Sequence, residues 1–130
     1  MRVQRFVYSK YNWNIVVYYG VDATNELDVS IMLTSLKANR KQKRYAINTI
    51  KHYNQGFTCS NYRLRTSFVS ISKTTSKEEF INTIAHEAKH VVDDICTAND
   101  MNYTGEPPAY MLGELMMIMF KVFRKYLCTC

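Results

Sequence analysis

Residues 86–90 read His-Glu-Ala-Lys-His, an HExxH sequence whose residue types and spacing suit metal-dependent hydrolysis. Residues four apart lie on one face of an α-helix, so the imidazoles of His86 and His90 can bind one cation. Glu87 then lies beside the first ligand, where its carboxylate can take a proton from a metal-activated water. Random shuffling of this composition would produce about 0.003 such matches per chain, so chance is a poor explanation.

A catalytic zinc site needs a third protein ligand, and the sequence offers two carboxylates for it. Such sites use three protein ligands and leave the fourth position for water. No histidine follows His90, which excludes the metzincin pattern with its distal histidine, and His52 is interpreted as an ordinary helix-end residue. Glu106 and Glu114 both lie on the next predicted helix, and the residues alone leave the choice open. Gly113 between them predicts a close approach of two helices.

Two consecutive helices must position these residues. Ser76 and Glu79 match a capping box, which predicts that a helix begins after Ser76. A helical apolar pattern continues to Cys96 and places the HExxH residues on the more polar side. After a short loop, the Glu-Pro-Pro sequence at 106–108 predicts a last helix that ends near Tyr126.

The preceding part of the chain predicts a small sheet and two helices. Three segments are rich in β-branched or aromatic residues and are predicted strands, the first two forming a hairpin: 3–8, 14–19 and 67–72. Two segments are predicted helices: about 24–37, and about 45–53 with Gly56 as its end. Residues 57–65 are polar and irregular and are predicted to form an exposed loop.

This order of strands, helices, strand and two helices indicates an α+β fold in a single domain spanning residues 1–130. A length of 130 residues and an apolar fraction of 47% are ordinary for a globular protein with a real core. No apolar run is long enough to cross a bilayer and no secretory signal is recognisable, so we expect a cytoplasmic protein without a membrane partner.

The four cysteines are expected to be reduced thiols rather than two disulfides. Cys96 falls on the apolar side of a predicted helix and is expected in the core. Cys128 and Cys130 lie near the end of the chain, where a CxC pair is only a weak signal for a metal.

The net charge is +6, and much of it lies in three clusters: Arg40, Lys41, Lys43 and Arg44; Arg63 and Arg65; and Lys121, Arg124 and Lys125. Such clusters suit nucleic acid or an acidic partner. The sequence has no helix-turn-helix signature or aromatic-basic repeat, and solvated helix faces are the usual role of such clusters. Nucleic acid is therefore not the expected partner.

The HExxH sequence and the later Glu106-x-x-Ala109 resemble the HExxH…ExxA pattern of zincin-like metallopeptidases. That group includes the ImmA/IrrE-type peptidases and small peptidases encoded by phages and mobile elements of bacteria. The resemblance covers the chain from Ser76 onward, and this chain has Tyr110 where the pattern usually has asparagine. It implies a zincin-like fold, with a small β-sheet packed against an HExxH helix and a C-terminal helix. It also implies that Glu106, rather than Glu114, is the third zinc ligand, in a bacterial-host or phage-associated protein.

The chain is therefore expected to be a zinc-dependent metallopeptidase acting on a protein or peptide. Zn2+ held by His86, His90 and Glu106 would activate water, with Glu87 as the general base. Three side chains are candidates to stabilise the oxyanion: Tyr110, Tyr62 and Arg63. Two carboxylates are candidates to orient the histidines: Asp93 and Asp94.

Two other functions compete with this one. The first is a zincin-like metal-binding module without catalysis, with a structural or regulatory role, for example in a phage. Glu87 argues against it, because a structural zinc site needs no general base and closes with four ligands. The second is a basic nucleic-acid-binding protein in which the HExxH sequence is accidental, and only the net charge supports it.

Overall fold

The computed structural model describes residues 1–127, and its α+β class agrees with the sequence-based prediction. The elements in chain order are β1 (Arg2–Tyr8), β2 (Trp13–Val21), α1 (Glu26–Ser35), α2 (Arg40–Thr49), β3 (Gly56–Asn61), β4 (Thr66–Ser72), α3 (Lys77–Ala98) and α4 (Glu106–Leu127). Single 3-10 turns precede β2 and α1. Among residues 1–127, no helix combines the length and the apolar character that crossing a membrane requires.

The four strands form one mixed sheet in the order β1-β2-β4-β3. β1 and β2 form the predicted antiparallel hairpin, and β3 and β4 form a second antiparallel pair. The central strands β2 and β4 run parallel, so the chain between them must cross a face of the sheet, and it does so through α1 and α2. β3 therefore lies at one edge of the sheet.

The prediction of an exposed loop over residues 57–65 is wrong for its first part, because Gly56–Asn61 forms β3. Gly56 begins this strand and does not end α2, which already ends at Thr49. The side chains of β3 alternate between two environments, as they must in a strand. Phe57 and Cys59 are buried against α1 and α2, whereas the polar residues between and after them face α3.

Both faces of the sheet are covered by helices, which gives three layers. One apolar core joins the sheet to α3 and α4, and it contains Trp13, Tyr19 and Ile71. A second core joins the opposite face to α1 and α2, and it contains Tyr18 and Phe68. Burial on both faces explains why β2 is almost continuously apolar, whereas β4 is equally buried but includes the buried residues Ser67, Ser70 and Ser72.

α3 and α4 begin and end close to the predicted positions. Ser76 caps α3, its hydroxyl oxygen accepting the backbone N–H of Glu79 at 3.1 Å. Cys96 is buried in the core as predicted. The predicted close approach at Gly113 is wrong, because a Cβ built there would meet nothing within 4 Å. Cys128 and Cys130, proposed above as a weak metal signal, lie outside the described residues.

Candidate metal centre

The imidazoles of His86 and His90 converge on the exposed side of α3. Their Nε2 atoms are 3.1 Å apart, and the two rings meet edge to face. Two nitrogens bound to one tetrahedral zinc at 2.0–2.1 Å would be about 3.3–3.4 Å apart. The pair therefore has nearly the separation that a shared zinc ion requires, without any change of backbone.

Glu87 lies beside this pair but is buried, with only 4% of its surface exposed. Ligand atoms of His86, Glu87 and His90 all lie within 4.8 Å of one another. The hydroxyl of Thr58 in β3 donates a hydrogen bond to Glu87 Oε2 at 2.7 Å, so the strand fixes the carboxylate. β3 can come this close because Gly56 has no Cβ, which would lie 2.9 Å from Glu87 Cγ.

His86, Glu87 and His90 line a cleft of about 450 Å³ between β3 and α3. Tyr45 of α2 lines the far side of this cleft. Among residues 1–127, β3 is paired with a strand on one side only, so the backbone groups on its other side lie along the cleft. Ser72 donates to the carbonyl of Gln55, and alternate residues of an antiparallel strand face the neighbouring strand. The backbone groups of the residues in between, such as Thr58, therefore point away from β4.

Asp94, one helical turn after His90, also lines the cleft. Its carboxylate accepts hydrogen bonds from Ser60 at 2.5 Å and from Tyr62 at 3.3 Å. Ser60 is in turn 2.6 Å from Ser67 Oγ, which accepts the indole N–H of Trp13 at 2.9 Å. Burial raises the pKa of Asp94, and hydrogen bonds from Ser60 and Tyr62 partly offset this. A hydrogen-bond chain thus fixes Asp94 to the core of the sheet. Its partners are Ser60 and Tyr62, so its role in orienting the histidines stays a prediction.

The structure does not bring the predicted third ligand into this group. Among the described residues, the His, Cys, Asp and Glu side chains close enough to share an ion are His86, Glu87 and His90. Glu106 is exposed at the first position of α4, and its role as a ligand stays a prediction. Glu114 is bound elsewhere, by the hydroxyl of Tyr8 at 2.9 Å and by Lys10 at 3.3 Å.

The other predicted residues lie at different distances from the site. Tyr110 is 66% exposed on α4 and does not line the cleft, so its catalytic role also stays a prediction. Tyr62 reaches the site through Asp94, whereas Arg63 is exposed. Asp93 forms an ion pair with Lys89 one turn earlier on α3.

Sequence reasoning missed Thr58, Ser60 and Gly56, the residues by which β3 shapes the site. A usable signal was present, because apolar and polar residues alternate from Phe57 to Ser60 with the period of a strand. The polar side chains of Thr58 and Ser60 face the polar side of α3 and not solvent. The composition of the segment is therefore typical of a loop although the segment forms a strand.

Comparison with known proteins does not identify the family. No protein-family model, no curated protein and no solved structure matches the chain. The zincin-like family therefore stays an expectation drawn from the sequence, and the chemistry of the site rests on its own residues.

Proposed function

We propose that this protein is a zinc-dependent peptidase, with His86 and His90 as metal ligands and Glu87 as the general base. The convergence of these three side chains within 4.8 Å carries the proposal. Imidazole and carboxylate are ligands that zinc takes in hydrolases, although they also suit other divalent cations. Two imidazoles and an adjacent acid at the mouth of an open cleft are the components that metal-assisted hydrolysis needs.

The residues of the site have separate tasks in this reaction. Zinc, when bound, would polarise the substrate carbonyl and lower the pKa of its bound water to about 7. Glu87 accepts a proton from the attacking water and delivers it to the leaving amine. Thr58 engages one carboxylate oxygen of Glu87, so the other oxygen takes the proton. Asp94, held by Ser60 and Tyr62, keeps the polar wall beside His90 in place.

The free edge of β3 favours a peptide as the substrate. An extended peptide can add to an exposed strand edge through backbone hydrogen bonds, which recognise polypeptide whatever its side chains. Such a peptide would lie along β3 and pass in front of His86 and His90. On the resemblance alone, we propose Glu106 as the third ligand. The test compares the zinc content of two variants: Glu106→Gln should lose zinc, and Glu114→Gln should keep it.

A non-catalytic metal-binding module is the second candidate, and one observation favours it. The carboxylate of Glu87 lies in the same ligand group as the two imidazoles, so it can serve as a third ligand instead of a base. The two functions differ in what the removal of this carboxylate does to the bound metal.

The test measures zinc content and cleavage of fluorescein-labelled casein for the wild type and three variants. His86→Ala is expected to lose both zinc and cleavage. Glu87→Ala is expected to keep zinc and to lose cleavage by at least about 100-fold, the usual contribution of a general base. His52→Ala is the control, because His52 is an exposed histidine hydrogen-bonded to the carbonyl of Asn48. It should change neither quantity.

Two results would count against the peptidase. A wild-type protein that binds no stoichiometric zinc after loading has no metal centre of this kind. Loss of zinc in Glu87→Ala, equal to that in His86→Ala, would make Glu87 a ligand and favour the non-catalytic module.

A further inference from the structure

Positive charge is concentrated in one continuous part of the chain. Residues 29–77 contain 10 of the 17 Lys and Arg residues, whereas all 11 Asp and Glu residues lie outside this range. The range comprises most of α1 together with α2, β3 and β4. The molecule therefore has a strongly basic part, and this part includes the strand wall of the cleft.

The densest positive charge lies at the start of α2, on what we call the α2 basic face: Arg40, Lys41, Lys43 and Arg44. The first turn of α2 contains no acidic residue. Cations at this end of a helix are unfavourable, because the helix dipole is positive there. Among residues 1–127, no carboxylate forms an ion pair with any of the four. Such an arrangement lowers stability and suggests that the charge serves an external partner.

The α2 basic face is held in a fixed position beside the cleft. Asn39 and Gln42 form a reciprocal capping box, with both hydrogen bonds at 2.8 Å. Ala46 on the opposite side of the helix is buried in the core. Tyr45 lines the metal cleft, and Lys41 lies one turn before Tyr45 on the same side of α2. A chain leaving the cleft past Tyr45 would meet Lys41 first. Arg44 lies beside Lys41, three residues later on α2, and lines a neighbouring groove with Arg40 and Lys43.

We propose that the cleft selects polypeptides with acidic side chains in the segment that crosses α2. This inference rests on the proposed function, because it names the substrate class of the same site. A polypeptide fits better than a nucleic acid for two reasons. The edge of β3 offers backbone partners to an extended peptide. The cleft itself contains the carboxylates of Glu87 and Asp94, which would repel a continuous phosphate backbone but not a peptide whose acidic residues lie only over α2.

The test measures binding and does not depend on cleavage. All proteins carry Glu87→Gln, so the probe is not hydrolysed, and binding is followed by fluorescence anisotropy. The probes are two short labelled peptides, one alternating Glu and Ser and the other alternating Gln and Ser. The test variant is Lys41→Glu with Arg44→Glu. The matched control is Lys121→Glu with Lys125→Glu, which makes the same change of net charge at exposed positions of α4.

The Glu peptide is expected to bind more tightly than the Gln peptide. The α2 variant should bind the Glu peptide about tenfold more weakly, and the α4 control should stay within about twofold of the parent. Equal weakening in the two variants would overturn the proposal, since net charge alone would then explain binding. Equal affinity for the two peptides would overturn it as well. A single-stranded DNA oligonucleotide of the same charge that binds more tightly, and loses affinity in the α2 variant, would show a nucleic-acid surface instead.

The binding and cleavage experiments separate the two proposals. Selective, α2-dependent binding without any casein cleavage by the zinc-loaded wild type would support the acidic-peptide surface and overturn the peptidase. Casein cleavage by the wild type together with equal binding of the Glu and Gln peptides would support the peptidase and overturn the acidic-peptide surface. The emission of the buried Trp13 confirms in each case that the variants are folded.

Discussion

Replacing Gly56 by alanine is expected to disturb the contact between β3 and the helix that carries the site. The added Cβ would lie 2.9 Å from Glu87 Cγ and 2.9 Å from the backbone oxygen of Ser70. It would also lie 3.2 Å from the γ-methyl of Thr83. The neighbours on two sides are therefore α3 and the backbone of β4, and β3 cannot move away from one without disturbing the other.

The size of the effect follows from these distances. Carbon atoms in contact are ordinarily about 3.5–4.0 Å apart, so Glu87 or β3 must move by about 0.6–1.1 Å. Adding a methyl group to a tightly packed site costs about 1–3 kcal/mol. A displacement of about 1 Å at a reacting group can reduce activity by about 100-fold. The three atoms nearest to the added Cβ belong to Glu87, Ser70 and Thr83 and none to His86 or His90, so zinc binding should be retained.

Gly113→Ala is the matched control. It makes the same chemical change on the exposed side of α4, where the new Cβ meets nothing within 4 Å. It should stabilise the protein by about 0.5–1 kcal/mol through helix propensity. Both substitutions reduce the freedom of the unfolded chain, so a loss of stability in Gly56→Ala beside a gain in Gly113→Ala points to the close contact in the folded state.

The assay is urea and thermal unfolding followed by the fluorescence of Trp13, the single tryptophan, which is fully buried. Gly56→Ala should lower the melting temperature by roughly 3–15 °C, and Gly113→Ala should raise it by a few degrees. Casein cleavage and zinc content are measured on the same samples. A Gly56→Ala protein as stable as Gly113→Ala, with full cleavage, would refute the packing of β3 against Glu87.

Three further changes test other parts of the structure. Thr58→Val removes the donor to the buried carboxylate of Glu87 and should cost about 1.5–3 kcal/mol in urea unfolding; a cost below about 0.5 kcal/mol would contradict this contact. Ser60→Ala breaks the hydrogen-bond chain between the sheet and α3 and should cost about 1–3 kcal/mol, and an unchanged urea midpoint would exclude that role. The hydrogen bond from Lys73 lowers the pKa of Asp22 from 3.8 to about 2, so the stability it adds is present above pH 4 and is lost as the pH falls toward 2. The difference in urea midpoint between wild type and Lys73→Ala should therefore close between pH 4 and pH 2, and a difference that widens there would contradict the ion pair.

The motif helix was predictable because its signals are local. Ser76, the apolar period and the two imidazoles all lie within the same helix, so no knowledge of distant contacts was needed. The hairpin of β1 and β2 was predictable for the same reason, since adjacent strands joined by a short turn commonly pair.

The remaining features depend on contacts between distant residues. The parallel pairing of β2 with β4 joins residues about 50 positions apart, and nothing in either strand specifies that partner. β3 was missed because its polar side chains, such as Thr58 and Ser60, form hydrogen bonds with side chains of α3 rather than with water. Spacing alone likewise could not decide the third ligand, because the position of α4 depends on packing along its whole length.

The alternation of β3 limits which changes of length the chain can tolerate. Inserting one residue directly before Phe57, with the pairing of Gly56 kept, would turn Phe57 and Cys59 toward Glu87 and send the hydroxyl groups into the apolar layer beneath α1 and α2. Residues 102–105, between α3 and α4, are all exposed, so insertions there disturb neither layer. Natural variation in length among chains that share this architecture should therefore accumulate in that connection, with the strand itself kept at constant length.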